Sequence, residues 1–473
     1  MQTTADTATG TTAADLEAVL AAAHAARRPL ARTSPTDRAA ALEAAADALE
    51  GARAELVALA AAETHLPVAR LEGELTRTAF QARLFAAGLR DGSLVPARVD
   101  PADPGWGTGP RPDLRRTVVP IGPVLVFAAS NFPFAFSVLG GDSASALAAG
   151  CPVVVKAHPG HPQLSRLTAR LVTGALTGAG LPAGAFALVE GVEASLAALR
   201  DPRVRAAGFT GSLRGGRALF DVAAARPDPI PFHGELGSVN PVVVTPAAWA
   251  ERGTAIADGW VGSLTLGSGQ FCTNPGVVLV PDAAAFTAAV DLPVPGPMLN
   301  PAIARGYEES ARELREQPGV GVAATGPASA EGVAAQVLTA SAADVLANPR
   351  TLHVEAFGPA GLVVGYSSPQ ELRDLLEVLP GQLTGSVQAA ADPADDDLAV
   401  EVAQLLAEKV GRVVWNDWPT GVTVSGAQQH GGPWPATTTP TTTSVGTAAI
   451  ERWQRPVAFQ AVPAAALPEQ LRS

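Results

Sequence analysis

Lysine is nearly missing from this 473-residue chain: of 33 basic residues only Lys156 and Lys409 are lysine, and the rest are arginine. Cysteine is equally scarce, at two. Two cysteines cannot form a disulfide framework, and no paired Cys/His spacing marks a zinc site, so no metal is expected. An excess of positive charge is also lacking. The net charge of -12 argues against nucleic acid as the main partner. Long apolar runs are absent as well. The most membrane-like window, Val124 to Gly141, contains Asn131 and Pro133 and follows Pro120 and Pro123, so it is too broken to span a bilayer. The first thirty residues carry Asp6, Asp15, Glu17, Arg27 and Arg28 without a basic segment leading into an apolar core, which gives no signal peptide. The expectation is a cytoplasmic protein with no membrane partner. Its length exceeds one ordinary core, so two or three domains are expected.

What is present falls into three styles. Residues 13–28, 36–62 and 64–89 are rich in Ala, Leu and Glu at helical spacing, with Ser34-Pro35 fitting a cap. They read as surface helices without chemistry, and His65, Glu72 and Glu74 read as solvated or capping residues. Residues 95–116 have the prolines of loops and edge strands. From residue 122 strands alternate with helices. Val124–Ala128, Cys151–Lys156, Ala185–Val189 and Ala206–Thr210 read as buried strands, and Phe136–Ala149 as a helix. This alternation implies a doubly wound parallel sheet, whose ligands sit at the carboxyl ends of the strands. Asn131, Lys156 and Ser212 fall at or just past strand ends. Residues 229–244 read as turn-rich. A second α/β alternation runs from Trp249 to about Trp418, and Arg455–Val462 reads as an edge strand.

Five features carry chemistry. Cys272 lies in Gly267-Ser-Gly-Gln-Phe-Cys-Thr-Asn-Pro-Gly276, where small residues let the backbone approach a ligand. The thiol is either a nucleophile or a small buried hydrophobe. Glu235 is bracketed by glycines. Asn131 follows a strand, as either a turn former or an oxyanion donor. Lys156 closes a strand. The turn Gly211 to Gly216 enters a helix, whose N-terminus suits phosphate, although it does not match G-x-G-x-x-G. His430 lies in a Gly-Gly-Pro loop, either beside the thiol or in solvent. His158 either meets a phosphate or packs at the strand end. Cys151 reads as core. Phe134, Phe136, Trp418 and Trp434 either line a pocket or are plain core, and no arginine stands out for a substrate carboxylate.

Together and in this order, these motifs resemble the aldehyde dehydrogenase superfamily over about residues 15–465. Val354-Glu-Ala-Phe-Gly-Pro359 resembles that family's Glu-x-Phe-Gly-Pro segment. Ser130-Asn-Phe-Pro-Phe-Ala-Phe-Ser137, Val155-Lys-Ala-His-Pro159 and His430-Gly-Gly-Pro433 are similar to the branch of α-ketoglutaric semialdehyde dehydrogenases. The resemblance implies an aldehyde dehydrogenase-like α/β fold. A Rossmann-like cofactor domain (1–235, interrupted by an oligomerisation segment at 95–119) would precede an α/β catalytic domain (236–440). A C-terminal segment (441–473) would complete a small β oligomerisation element of a homodimer or homotetramer. Cys272 would attack the aldehyde, Asn131 and the Cys272 N–H would hold the oxyanion, and Glu235, free to swing between its glycines, would activate water. His430 would tune the thiol. Lys156, His158, Gly211, Ser212, Gly216, Glu355 and Phe357 would face the cofactor. NAD-preferring members often carry Glu three residues after the lysine. Pro159 stands there, so NADP is expected over NAD. The expected reaction takes 2,5-dioxopentanoate to 2-oxoglutarate. Medium or long-chain aldehydes are the alternative substrates, and a cysteine-dependent hydrolase or acyltransferase is the alternative class.

Overall fold

The computed structural model describes residues 10–330, 332–391 and 396–472. Asp6 lies outside the described residues. Four helices open the chain: α1 (Ala13–Arg32), α2 (Pro35–Gly51), α3 (Arg53–Thr64) and α4 (Val68–Arg90). The Ser34 hydroxyl accepts the Asp37 N–H at 3.1 Å and caps α2. These are not surface helices. Leu30, Leu42, Leu71, Leu75 and Phe85 share one core with the first sheet. Alanine-rich stripes made them look exposed, but small residues are what let α2 and α4 pack closely.

Next come β1 (Ala97–Asp100) and β2 (Leu114–Pro120), then the first sheet. Its strands are β3 (Val124–Phe127), β4 (Val153–Lys156), β5 (Phe186–Val189), β6 (Ala206–Thr210) and β7 (Phe232–Glu235). They run parallel in the order β5-β4-β3-β6-β7. Helices α5 (Gly141–Ala149), α6 (Pro162–Gly178), α7 (Val192–Arg200) and α8 (Leu213–Ala224) connect them. The strands are short and almost wholly apolar, as a sheet covered on both faces requires. Lys156 and Glu235 are the last residues of their strands, so both stand on the carboxyl edge.

A seven-stranded sheet follows: β8 (Pro241–Val244), β9 (Val277–Val280), β10 (Gly321–Ala328), β11 (Ala334–Ser341), β12 (Ala360–Gly365), β13 (Gln382–Gln388) and β14 (Val410–Trp415). Its order is β10-β11-β12-β9-β8-β13-β14, with only the β10–β11 pair antiparallel. Long α9 (Pro246–Thr265) packs Trp260 and Leu264 against it. Finally β15 (Gln454–Gln460) joins β1 and β2 in a small antiparallel sheet, order β1-β2-β15.

Three further expectations change. The helix expected from Phe136 begins at Gly141, because residues 132–140 form a compact turn that folds back on β3. Ala129 N–H donates to Phe136 O and Gly141 N–H to Ala135 O. The stretch 229–244 is not merely turns but holds β7 and β8, with Gly234 inside β7. Glu74 is also not solvated. It is buried on α4, and its Oε1 accepts the N–H groups of Phe134 (2.8 Å) and Ala135 (2.9 Å). Helix α4 therefore fixes the turn that carries Asn131. Replacing Glu74 by Ala orphans two buried N–H groups and should cost on the order of 2–5 kcal/mol in urea unfolding. A loss below about 1 kcal/mol would mean the turn holds itself.

Candidate active site

Cys272 ends a turn between α9 and β9. Gly267, Ser268 and Gly269 all have positive φ (+55°, +57° and +68°). A Cβ at Gly269 would collide with the Gly358 carbonyl, so the turn needs glycine there. The turn has little regular hydrogen bonding of its own, and side-chain amides supply it. Asn240, itself left-handed at φ +46°, donates Nδ2 to Cys272 O at 2.8 Å and to Asn274 O at 2.9 Å. Its Oδ1 accepts the Ser238 hydroxyl at 2.8 Å. Gln270 accepts the Leu299 N–H at 2.9 Å. Asn131 donates Nδ2 to Gln270 O at 3.1 Å, joining the turn after β3 to the thiol turn.

His430 Nε2 lies 3.6 Å from Cys272 Sγ. The loop that carries it runs beside β7: Leu236 N–H donates to Ala436 O, and Thr438 N–H to Gly234 O. His430 is buried, not exposed, and Phe136 lies against its ring with centroids 6.1 Å apart. Burial and the arginines Arg412, Arg77 and Arg452 push its pKa down to about 3, so the imidazole is neutral. The Cys272 thiol is pushed up to about 12, by burial first and then by the carboxylates Glu235 and Glu355. The pair is a neutral thiol beside a neutral imidazole.

Glu235 is 2% exposed. Arg452 Nη2 holds its Oε1, while Oε2 is buried without a hydrogen-bond partner among the described residues. The same guanidinium reaches Asp142 at 3.2 Å. Burial raises the Glu235 pKa to about 7 against the opposing pull of Arg452. The neighbouring glycines do not let the backbone swing. Gly234 is inside β7, with its N–H on Thr438 Oγ1 at 2.8 Å. Gly237 leaves room for Glu355, whose Oε2 a Cβ would strike.

A second group of residues lies along the strand ends. Lys156 is half-buried, and burial alone lowers its pKa. His158 Nδ1 accepts the Gly160 N–H at 3.0 Å, which leaves its proton on Nε2. Ser212 caps α8 by accepting the Gly215 N–H at 3.2 Å. Gly211 and Gly216 are glycine for packing, since a Cβ at Gly211 would strike the Phe209 ring and one at Gly216 the Leu236 side chain. Glu355 is half-buried and accepts only from the Ser238 backbone, so burial raises its pKa to about 7. It lines one pocket with Phe357, Ser238 and Phe271. Among the described residues Lys156 has no carboxylate partner and Glu355 no cation, and with the start of α8 they fit the hydroxyls and phosphates of a dinucleotide.

Elsewhere, Cys151 and Phe134 are core, Trp418 packs on α9, and Trp434 is exposed. Three contributors escaped the sequence. Arg452 meets Glu235 across 217 residues, Asn240 acts through β8, and Arg77 comes from α4. None has a local signature.

The aldehyde dehydrogenase family model matches residues 1–433, and the chain belongs to the aldehyde dehydrogenase family. It is 49% identical over 449 residues to alpha-ketoglutaric semialdehyde dehydrogenase 2 of Azospirillum brasilense, covering 92% of this chain and 84% of that one. It is 43% identical over 450 residues to alpha-ketoglutaric semialdehyde dehydrogenase of Acinetobacter baylyi, covering 93% and 85%. Among solved structures, proline utilization A of Bradyrhizobium japonicum superposes with a TM-score of 0.79 at 25% identity. That match covers 95% of this chain but 45% of the longer protein. Among the described residues no helix is long and apolar enough to cross a membrane.

The thiol's raised pKa has a direct consequence. Alkylation of Cys272 by iodoacetamide in the cofactor-free protein should rise about tenfold per pH unit from about pH 7 to pH 10 without a plateau. A plateau near ~8.5 would mean an unperturbed thiol.

Proposed function

We propose that this chain oxidises α-ketoglutaric semialdehyde (2,5-dioxopentanoate) to 2-oxoglutarate with NADP in preference to NAD, through a thioester on Cys272. The names of the two curated relatives support the substrate. The observation that carries the chemistry is Cys272 Sγ 3.6 Å from His430 Nε2, on a turn tied to Asn131. We assign residues 1–235 to the cofactor, 236–440 to the thiol, and 95–119 with 441–473 to contacts within a homodimer or homotetramer.

Cys272 adds to the aldehyde carbon, and His430 is the nearest group to take the thiol proton. Asn131 Nδ2 has two hydrogens; one is on Gln270 O, and the other is free for the oxyanion alongside the Cys272 N–H. Such a donor is worth ~3–4 kcal/mol in the transition state. Lys156 and Glu355 would hold the two ribose groups of the cofactor, and the start of α8 its pyrophosphate. When bound, the oxidised nicotinamide would supply the acceptor for the hydrogen and electron pair that leave the substrate carbon. Glu235 then takes a proton from water as it adds to the thioester carbonyl. The C–S bond breaks, and Cys272 recovers a proton. For Glu235 to act, its Oε1 must leave Arg452. Buried at Asp142 and Glu235 alike, Arg452 keeps a second carboxylate when it does.

For the cofactor, Pro159 removes the carboxylate that would repel a 2′-phosphate, and the His158 Nε2–H is an added donor beside Lys156. His158→Ala should weaken NADP about tenfold in a fluorescence titration and NAD little, the value of one hydrogen bond to a charged group. Equal losses for both would remove His158 from this role. In an absorbance assay, 2,5-dioxopentanoate with NADP should outpace plain aldehydes and NAD. Cys272→Ala should lower kcat at least about a thousandfold. Preference for an uncharged aldehyde would discard the substrate, and full turnover by Cys272→Ala would discard the mechanism.

A further inference from the structure

Three arginines bring positive charge to His430: Arg412, Arg77 and Arg452. Two are already engaged. Arg452 holds Glu235 and Asp142. Arg412 donates to Gly421 O at 2.9 Å, to Pro419 O, and to Thr384 Oγ1 at 3.4 Å. Arg77 is different. Its Nη1 is buried with no hydrogen-bond partner among the described residues. Its guanidinium lies over the Phe136 ring, 5.4 Å from the centroid, and its charge is felt at Cys272. Phe136 in turn packs on His430, which touches the thiol. Arg77, Phe136 and His430 thus form one wall that ends at Cys272. The neighbouring Arg70 also has a buried Nη1 with no partner among the described residues, but its guanidinium is already engaged. It is held between the Phe132 and Phe271 rings (5.2 and 4.7 Å), with Nη2 on Asn131 O at 2.7 Å. Glu74, one turn before Arg77, uses Oε1 on the Phe134 and Ala135 N–H groups and forms no ion pair with Arg77 among the described residues.

A buried guanidinium donor with no acceptor is costly unless a ligand completes it. We propose that Arg77 binds the carboxylate at the far end of the aldehyde substrate, and so selects short aldehydes that bear an acid over neutral ones. The fork of donors suits a carboxylate, and the Phe136 ring holds the guanidinium plane in place. Such an aldehyde would reach from Arg77 along Phe136, with its carbonyl carbon at Cys272. This inference rests on the reading that the substrate is an acid aldehyde.

The test compares kcat/KM for 2,5-dioxopentanoate and for pentanal in the wild type, Arg77→Met and Arg77→Lys. Calorimetric binding of 2-oxoglutarate to the cofactor-free proteins is measured in parallel. In Arg77→Met the acid-to-neutral ratio should fall about 30- to 100-fold, mainly through KM, and 2-oxoglutarate binding should weaken to match. Arg77→Lys should keep part of both, which a merely misfolded variant would not. If the wild type prefers the acid and both variants keep that preference, Arg77 is not the carboxylate site, and the substrate reading stands. If the wild type has no preference for the acid, the substrate reading itself fails and takes this inference with it.

Discussion

The site depends on how one irregular turn is held. Cys272 has no helix or strand to fix it, and three residues before it take left-handed backbone angles. Side-chain amides hold the turn instead, chiefly Asn240 on the Cys272 and Asn274 carbonyls. Asn240 is anchored in turn, because Gln382 Oε1 accepts the N–H groups of Val239 (2.7 Å) and Asn240 (3.2 Å). β8, β13 and the thiol turn therefore share one buried polar network. Networks of this kind specify a single arrangement when every member is satisfied. The thiol's position is thus set by the second sheet, while its chemical partners come from the first sheet and from the loop around His430.

Burial sets the acid–base character of that cleft. It raises the thiol to about 12 and Glu235 and Glu355 to about 7, and lowers His430 to about 3. Each group is pushed toward its neutral form. At neutral pH little of the thiol is therefore thiolate. Arg452 adds a second restraint by holding Glu235 Oε1.

Much of this was legible from local pattern. The parallel strands, the carboxyl-edge position of Lys156 and the turn around Cys272 follow from short motifs whose chemistry needs those residue types. Packing against distant segments was not legible. The Ala-rich α4 reads as a surface helix, yet Glu74, Arg70 and Arg77 all reach the Asn131 turn. Gly211 and Gly216 read as phosphate-turn residues, while their immediate reason is the packing of Phe209 and Leu236 against them. Phe136 reads as helix because it is apolar at helical spacing, but Pro133 and the Glu74 carboxylate make a turn there. For α4 and for Phe136, contacts made across about sixty residues overrode the local preference.

The central claim is that Cys272 becomes acylated by the oxidised substrate before water releases it. Trapping that state tests it most directly. The Glu235→Gln protein would be mixed with 2,5-dioxopentanoate and NADP, quenched in acid and analysed by peptide mass spectrometry. The account expects a 2-oxoglutaryl adduct on the peptide containing Cys272, formed in step with a burst of reduced cofactor. Reduced cofactor without any adduct on Cys272 would contradict it.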